Sequence, residues 1–372
     1  MAEIKPNIAR SKKTDLKSLT RDELDEFCSG IGVQSYRADQ IFQWLYQKGV
    51  SSFDEMTNLS KSLREKLEGI AEVKRLKLHQ LQESSDGTCK FLFELDDSSG
   101  DKIESVLIPD FRTDGTPNRM TVCVSSQVGC IFGCSFCATG KMGFFRNLTH
   151  GEITDQVHIL NGFAEEKFGK GVTNVVYMGM GEPLHNYRAV TESAEILTHP
   201  NGGDLSPRRI TVSTVGLTKQ IRQLADEKRP FRLAVSLHAA DDEKRSKVMP
   251  INRSLNLEQL RDAVTHYYHT MLMPLTYEYL LFDRFNDTPE DAKKLATIAR
   301  WVPSKVNIIM YNRVEGVGLE RAEESRLDKF LGILTSHDVT STVRRSRGDD
   351  IDAGCGQLAI REGKQGKTLQ KH

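Results

Sequence analysis

Hydrophobic positions recur with a helical period from residue 20 onward. Thr20 and Glu23 form a capping box ahead of Leu24 and Phe27, and Gly30 ends the predicted helix. Ser35 is placed to cap a second helix whose Ile41, Trp44 and Leu45 share one face, with Gly49 as its stop. Leu59, Leu63 and Leu67 line a third. Residues 18–74 thus read as a small helical module, a packing accessory or an RNA grip, behind a loose, charged leader over 1–17. Over 75–115 the period falls to two. Strands are predicted at 88–95 and 102–109, with turns at 85–87 and 98–100, as a short β extension.

From residue 120 strands and helices alternate. Predicted strands lie at 120–125, 174–180, 210–215, 233–237, 276–282 and 306–311. Thr149 with Glu152, Asn256, and Thr288 before Pro289 mark helix starts between them. Six βα units over 116–350 predict an α/β fold with a parallel sheet, open or partly closed into a barrel. Functional residues then belong at the C-terminal strand ends. A last strand, 341–345, leads into a segment over 351–372 with a glycine-flanked cysteine and a loose polar tail from Arg361.

Composition narrows the function classes. Lys plus Arg and Asp plus Glu are both 51, so nucleic acid would be gripped by local patches rather than a polybasic carpet. Arg344, Arg345 and Arg347 form one candidate patch for phosphates. No apolar run approaches a membrane span and no secretory pattern opens the chain, so the expected compartment is the reducing cytoplasm. There the odd count of seven cysteines points to metal or chemistry rather than a disulfide framework.

Three of the seven, Cys130, Cys134 and Cys137, follow the first strand of the alternating region with CxxxCxxC spacing. Gly129 and Gly133 let that loop curl, and residues 121–140 contain no charged side chain. Structural zinc takes four ligands, usually as two pairs, and no second pair is nearby. A 4Fe–4S cluster held by three cysteines leaves one iron open for a substrate, and an uncharged shell suits it. Zinc, or plain burial, is the alternative. The second strand ends in Met178-Gly-Met-Gly-Glu-Pro183, where Gly181 admits a close ligand and Glu182 can accept from an ammonium group. Ser213, Ser236, Leu237, His238 and Asn312 stand at the ends of later strands. Each alone is weak; together they outline a ligand site. Cys355, between glycines, reads as a mobile, accessible thiol, and Cys123 as either core or a resolving partner for it.

The cysteine trio resembles that of radical SAM enzymes. Cys123-Val-Ser-Ser-Gln-Val-Gly-Cys130, the Gly181-Glu182-Pro183 turn, Ser236-Leu-His238, Met249-Pro-Ile-Asn252 and Asp350-Ile-Asp352 through Leu358 resemble the RlmN family of RNA methyltransferases. The resemblance runs from about residue 20 to 360. It implies a partial (βα)6 radical SAM barrel with a small N-terminal helical module and short β extension. It also implies a 4Fe–4S cluster on Cys130, Cys134 and Cys137, with S-adenosylmethionine (SAM) held by Gly181, Glu182, Ser213, Ser236, Leu237, His238 and Asn312. In the implied reaction Cys355 takes a methyl group from one SAM, and a second SAM yields a 5′-deoxyadenosyl radical that activates it. Carbon 2 of an adenine in 23S rRNA or tRNA is then attacked, Glu104 removes its proton, and Cys123 releases the product by forming a disulfide with Cys355. An electron donor such as flavodoxin or ferredoxin is implied, and the expected state is a monomer. Gly354 departs from the alanine common in the family, which is expected to loosen the Cys355 loop. A sister Cfr-type group methylates carbon 8, and Pro183 favours the carbon 2 family. A zinc-stabilised RNA-binding protein without catalysis is the rival from another class.

Overall fold

The computed structural model describes residues 13–97 and 99–360. The predicted leader up to residue 12, Ser98 of the second turn and the predicted tail from 361 lie outside those residues. Residues 13–17 are not a leader. Strand β1 (Thr14–Asp15) pairs in parallel with β2 (Ala71–Glu72), which closes the helical module. Lys17 is buried and forms an ion pair with Asp155, while Tyr46 Oη donates to the Lys17 carbonyl. A buried ammonium needs such a carboxylate, so this pair fixes the module onto the rest of the chain.

Helix α1 (Arg21–Gly30) has the predicted capping box: Thr20 Oγ1 accepts from Glu23 N, and Glu23 accepts from Thr20 N. Helix α2 (Tyr36–Gln43) does not use Ser35 as a side-chain cap. Ser35 already has helical backbone angles, and a capping hydroxyl needs an extended residue to reach back. The last turn widens to a π-helix over Trp44–Lys48 and ends at Gly49, whose φ of 64° meets the expected left-handed stop. Ser60 caps α3 (Lys61–Ile70); Leu59 precedes that helix, and Leu63 and Leu67 point from it into the module core with Leu24, Ile41 and Leu45.

The β extension is part of the main sheet. Strands β3 (Lys77–Glu83), β4 (Cys89–Glu94) and β5 (Lys102–Phe111) form an antiparallel meander that continues into β6 (Pro117–Cys123). Strand β6 is the turning point, antiparallel to β5 and parallel to β9 (Asn174–Tyr177). Beyond it run β10 (Ile210–Thr214), β11 (Arg232–Ser236), β12 (Leu275–Leu281), β13 (Ser304–Met310) and β14 (Ser341–Arg344), all parallel. The order is β14-β13-β12-β11-β10-β9-β6-β5-β4-β3. The parallel strands are almost continuously buried, as strands covered on both faces must be. Helix α5 (His150–Phe168), α6 (Tyr187–Thr198), α7 (Thr218–Asp226), α9 (Leu257–Met271), α10 (Pro289–Ala299) and α11 (Glu324–Ser336) alternate with them and share one large core.

The two ends of the parallel run approach each other. Arg344, at the end of β14, lies 3.9 Å from Met178 Sδ just after β9. The chain after β14 crosses to the β3–β4 turn, where Gly348 N donates to Asp86 Oδ2 (3.1 Å) and Ser85 N to Asp350 Oδ2 (3.2 Å). A flat sheet would hold these residues far apart. The sheet is therefore a partial barrel, closed across its C-terminal mouth by residues 346–358 instead of by a strand ladder.

Candidate metal and cofactor site

The cysteine loop is braced by a hairpin that sequence periodicity did not reveal. Strand β7 (Gln127–Gly129) pairs with β8 (Phe144–Asn147), and the short helix Ala138–Met142 lies between loop and return strand. Gly129 has φ 74°, and a Cβ there would sit 1.9 Å from the Gly143 carbonyl oxygen, so only glycine lets the hairpin close. Cys130 N donates to that same oxygen at 2.8 Å. Cys130, Cys134 and Cys137 line one cavity with Phe136, Met249, Ser213, Ser236, Glu182 and Cys355. Burial, reinforced by the neighbouring thiols, pushes Cys130 up to about 11 and Cys134 higher still. Such thiols ionise only when a strong local positive charge compensates for lost hydration.

The donor set therefore fits a metal cluster. It offers three soft sulfur ligands in apolar walls. Among the described residues, no three His, Cys, Asp or Glu side chains converge on one ion.

The turn after β9 packs edge-on against the chain after β6. A Cβ on Gly179 would meet the Val124 carbonyl carbon at 2.7 Å, and one on Gly181 the Gln127 Cβ at 2.5 Å. This contact carries Glu182 into the cavity wall. Its Oε1 accepts from Leu184 N (3.1 Å) and its Oε2 from Val215 N (2.9 Å). Burial nevertheless raises its carboxyl to about 7. The Thr214 side chain also hydrogen-bonds it, and the carboxylate keeps acceptor capacity for a cationic ligand. Ser213 and Ser236 face each other across adjacent strands, Oγ to Oγ 3.5 Å. His238 sits in the left-handed region at φ 54°; its Nδ1 accepts from Leu280 N at 3.1 Å, which leaves the proton on Nε2. Burial depresses its basicity to about 3, so the ring is a neutral donor, packed edge-on to Phe136 at 4.7 Å.

Two residues expected on the ligand, Leu237 and Asn312, do not line this cavity. The Leu237 side chain belongs to the main core, and its carbonyl accepts from Arg245 Nε at 3.2 Å. Asn312 lies beneath the C-terminal segment: its Oδ1 accepts from Ser346 Oγ, and a Cβ on Gly354 would fall 2.0 Å from its Nδ2. Glycine at 354 thus makes room for Asn312. The loop is not loosened as expected; it is packed down.

Cys355 is half-buried, not freely exposed. Its segment is held by Ala138 N donating to the Gly356 carbonyl (2.7 Å), Thr139 Oγ1 to the Leu358 carbonyl (2.6 Å) and Gly354 N to Gln357 Oε1 (3.0 Å). Cys123 is buried within electrostatic reach of Cys355. Burial first, and that neighbouring thiol second, push it up to about 12. Arg344 opposes both shifts. Its side chain, about a third exposed, also faces Glu278 at 3.5 Å, and Glu278 in turn accepts from Asn307 Nδ2 at 2.8 Å. Arg345 pairs with Glu324, and Arg347 lies 3.9 Å from Asp86. The predicted basic patch is thus dispersed into three separate ion pairs.

Glu104 is absent from the thiol cavity. It is buried on β5 beside Lys90 (3.3 Å), raised mainly by burial, with its Oε2 lacking a hydrogen-bond partner. It lines a second, smaller cavity with Asp352, Gln357 and Ala359. The C-terminal segment is the wall between the two: Cys355, Gly356 and Leu358 face the thiols, while Gln357 and Ala359 face Glu104.

A partly closed parallel barrel with CxxxCxxC on the loop after its first strand defines a radical SAM protein. The model of the Radical SAM superfamily matches residues 124–296, and that of the ribosomal RNA large subunit methyltransferase N-terminal domain matches 14–73. Such a fold implies a 4Fe–4S cluster and SAM as its cofactors. A probable dual-specificity RNA methyltransferase RlmN from Salinibacter ruber is 51% identical over 93% of this chain and 94% of its own length. A dual-specificity RNA methyltransferase RlmN 2 from Myxococcus xanthus is 43% identical over 98% and 95%. The crystal structure of a radical SAM methyltransferase from Sphaerobacter thermophilus superposes with a TM-score of 0.86 at 42% identity, over 93% of this chain and 99% of that one. The chain belongs to the RlmN family.

Proposed function

We propose that this chain methylates carbon 2 of adenine in RNA, acting on 23S rRNA at the peptidyl-transferase centre and on tRNA beside the anticodon. One observation carries the reading: Cys355 shares the cavity of the metal-binding trio, with Cys123 and Arg344 close behind it. A cluster that keeps one iron open for SAM has no use for a fourth or fifth thiolate, whereas a protein-bound methyl carrier needs one sulfur to load and another to release.

Cys130, Cys134 and Cys137 would hold the cluster, and bound cluster and SAM supply the radical chemistry that an electrophilic ring carbon demands. Glu182 would take the SAM ammonium, and Ser213, Ser236 and the Nε2–H of His238 its ribose and carboxylate. Leu237 and Asn312 would act through neighbours, the first by its carbonyl on Arg245, the second by seating the Cys355 segment. Cys355 would lose its proton and attack the methyl carbon of a first SAM, so that the new S–CH3 bond forms as S-adenosylhomocysteine leaves, and carry the methyl as a thioether; a second SAM is spent on activation, two per turnover. Arg344 favours the thiolate that this loading step requires. Glu104 would remove the carbon 2 proton once the 351–359 segment turns aside for the base. Cys123 would then attack the Cys355 sulfur, so that an S–S bond replaces the bond to RNA. A low-potential carrier such as flavodoxin or ferredoxin would feed the cluster, and the protein would work as a cytoplasmic monomer.

The test is nucleoside mass spectrometry of rRNA and tRNA from a deletion strain. Loss of 2-methyladenosine from both, restored by the wild-type gene but not by C355A, supports the proposal. Loss of 8-methyladenosine instead, or no loss, refutes it.

A further inference from the structure

The scheme above uses the buried guanidinium of Arg245 only as the partner of the Leu237 carbonyl and gives its charge no task. Arg245 is 1% exposed, on the short helix α8 (Asp242–Val248) that the chain enters after β11. Its Nε donates to the Leu237 carbonyl (3.2 Å), its Nη2 to the Val215 (2.7 Å) and Ser236 (3.3 Å) carbonyls, and its Nη1 to Asn252 Oδ1 (2.7 Å). Its partners are therefore neutral oxygens. Among the described residues no carboxylate lies within ion-pair distance; the acidic groups that act on it are first the Cys134 thiol and then Asp242, whose carboxylate is occupied by Asn252 Nδ2 (2.9 Å) and Leu257 N (2.9 Å). A fully buried cation satisfied only by carbonyl and amide dipoles retains its whole charge, and such charges are rare unless an anion lies nearby.

Its surroundings locate that anion. The helix carrying Arg245 docks on the cysteine loop, where Ser135 N donates to the Val248 carbonyl at 2.9 Å, and Val248 and Met249 pack with Cys134 and Phe136. Three of the carbonyls that hold the guanidinium belong to strand ends whose residues Val215 and Ser236 also line the thiol cavity. Gly216, at φ 104°, lets the chain turn beside the guanidinium, which would lie in ordinary contact, 3.5 Å, with a Cβ placed there. The Met249-Pro-Ile-Asn252 motif thereby gains a physical purpose: its last residue anchors the cation.

We propose that Arg245 is the internal counter-ion of the cysteine-bound cluster, a positioning residue whose fixed charge sets the cluster's reduction potential. The inference rests on the reading that Cys130, Cys134 and Cys137 hold a 4Fe–4S cluster. Accepting one electron from a low-potential flavin or iron–sulfur carrier adds one negative charge to that site while the carrier is oxidised. A fixed cation close by favours the reduced state, in a low-dielectric setting that screens it little.

The test is an EPR-monitored redox titration of the anaerobically reconstituted protein, with iron content and thermal unfolding measured on the same samples and no RNA present. R245Q should shift the midpoint potential to more negative values at full iron loading. R245K, which keeps the charge but not the fork of donors, should lose thermal stability while holding a potential near wild type. N252D, which sets a carboxylate against Nη1 with the guanidinium in place, should shift the potential in the same direction as R245Q and decides the matter if R245Q does not fold. A potential unmoved in folded R245Q or in N252D, whatever happens to stability, overturns the proposal. Wild-type protein that takes up no cluster would instead sink the underlying reading.

Discussion

Two sets of cysteines meet at this cavity, the trio and Cys355 lining it and Cys123 behind Cys355, and they reached it by different routes. Cys130, Cys134 and Cys137 share one loop, so local geometry alone brings them together. Cys123 and Cys355 are 232 positions apart (355 − 123), and only the curl of the sheet and the strap after β14 place them together. The local set needs a hairpin and a glycine; the distant set needs the whole fold to be correct. This contrast makes the two sets separable by experiment.

The largest effects come from breaking either set. C134S should lose most of its iron and sulfide and all methyl transfer. C355A should keep its iron, measured by metal analysis, and still lose turnover. C123A should keep both cluster and loading but accumulate a covalent RNA adduct, visible as a shifted band on denaturing gels. Full activity in C355A would dissolve the distinction between metal set and carrier set.

Next in size is the buried pair that ties the helical module to the barrel. Removing one partner leaves the other charged and unpaired, so K17A should cost roughly 3–5 kcal/mol in urea unfolding. Iron loading of the protein that remains folded should hardly change, because the cysteine loop is braced locally.

Glu182 lies between the extremes. E182Q should weaken SAM binding by about 10- to 100-fold in calorimetry, the size of one charge-assisted hydrogen bond. Its folded carboxyl titrates near 7, against an ordinary 4.5. The folded state therefore holds the proton longer than the unfolded one. This group's contribution to stability falls as pH rises from about 4.5 to 7 and levels off above. SAM affinity should rise through the same upper limb as the carboxylate forms. E182Q should flatten both dependences, and its apo form should be the more stable at pH 8.

The smallest change tests the strap. G354A would push a methyl group into Asn312, so it should cost about 1 kcal/mol and slow Cys355 methylation a few-fold, followed by intact-protein mass spectrometry. An unchanged rate would show that Asn312 can swing away freely.

Much of this was legible along the chain. The capping boxes at Thr20, Thr149 and Thr288 and the six βα strands are local signals, written in side chains a few residues apart. The predicted strand 174–180 ends early at Tyr177 because Met178 to Gly181 leave the ladder to pack against Val124. Strand β3 escaped notice because its exposed Lys77, Leu78 and His79 break the alternation. Arg344 read as one of a basic trio, since nothing in its sequence neighbourhood reveals its pairing with Glu278 across the sheet.

The sequence alone determined the elements, the thiol loop and the residue types available at each strand end, because capping, periodicity and ligand spacing act over a few residues. The tertiary structure decided which of those residues share a space. It put Asn312 against Ser346 and the Leu237 side chain in the main core, set Glu104 on the far side of the strap and buried Arg245 on the helix that docks on the cysteine loop. Those outcomes depend on the curvature of one ten-stranded sheet, a property that no short stretch of chain encodes.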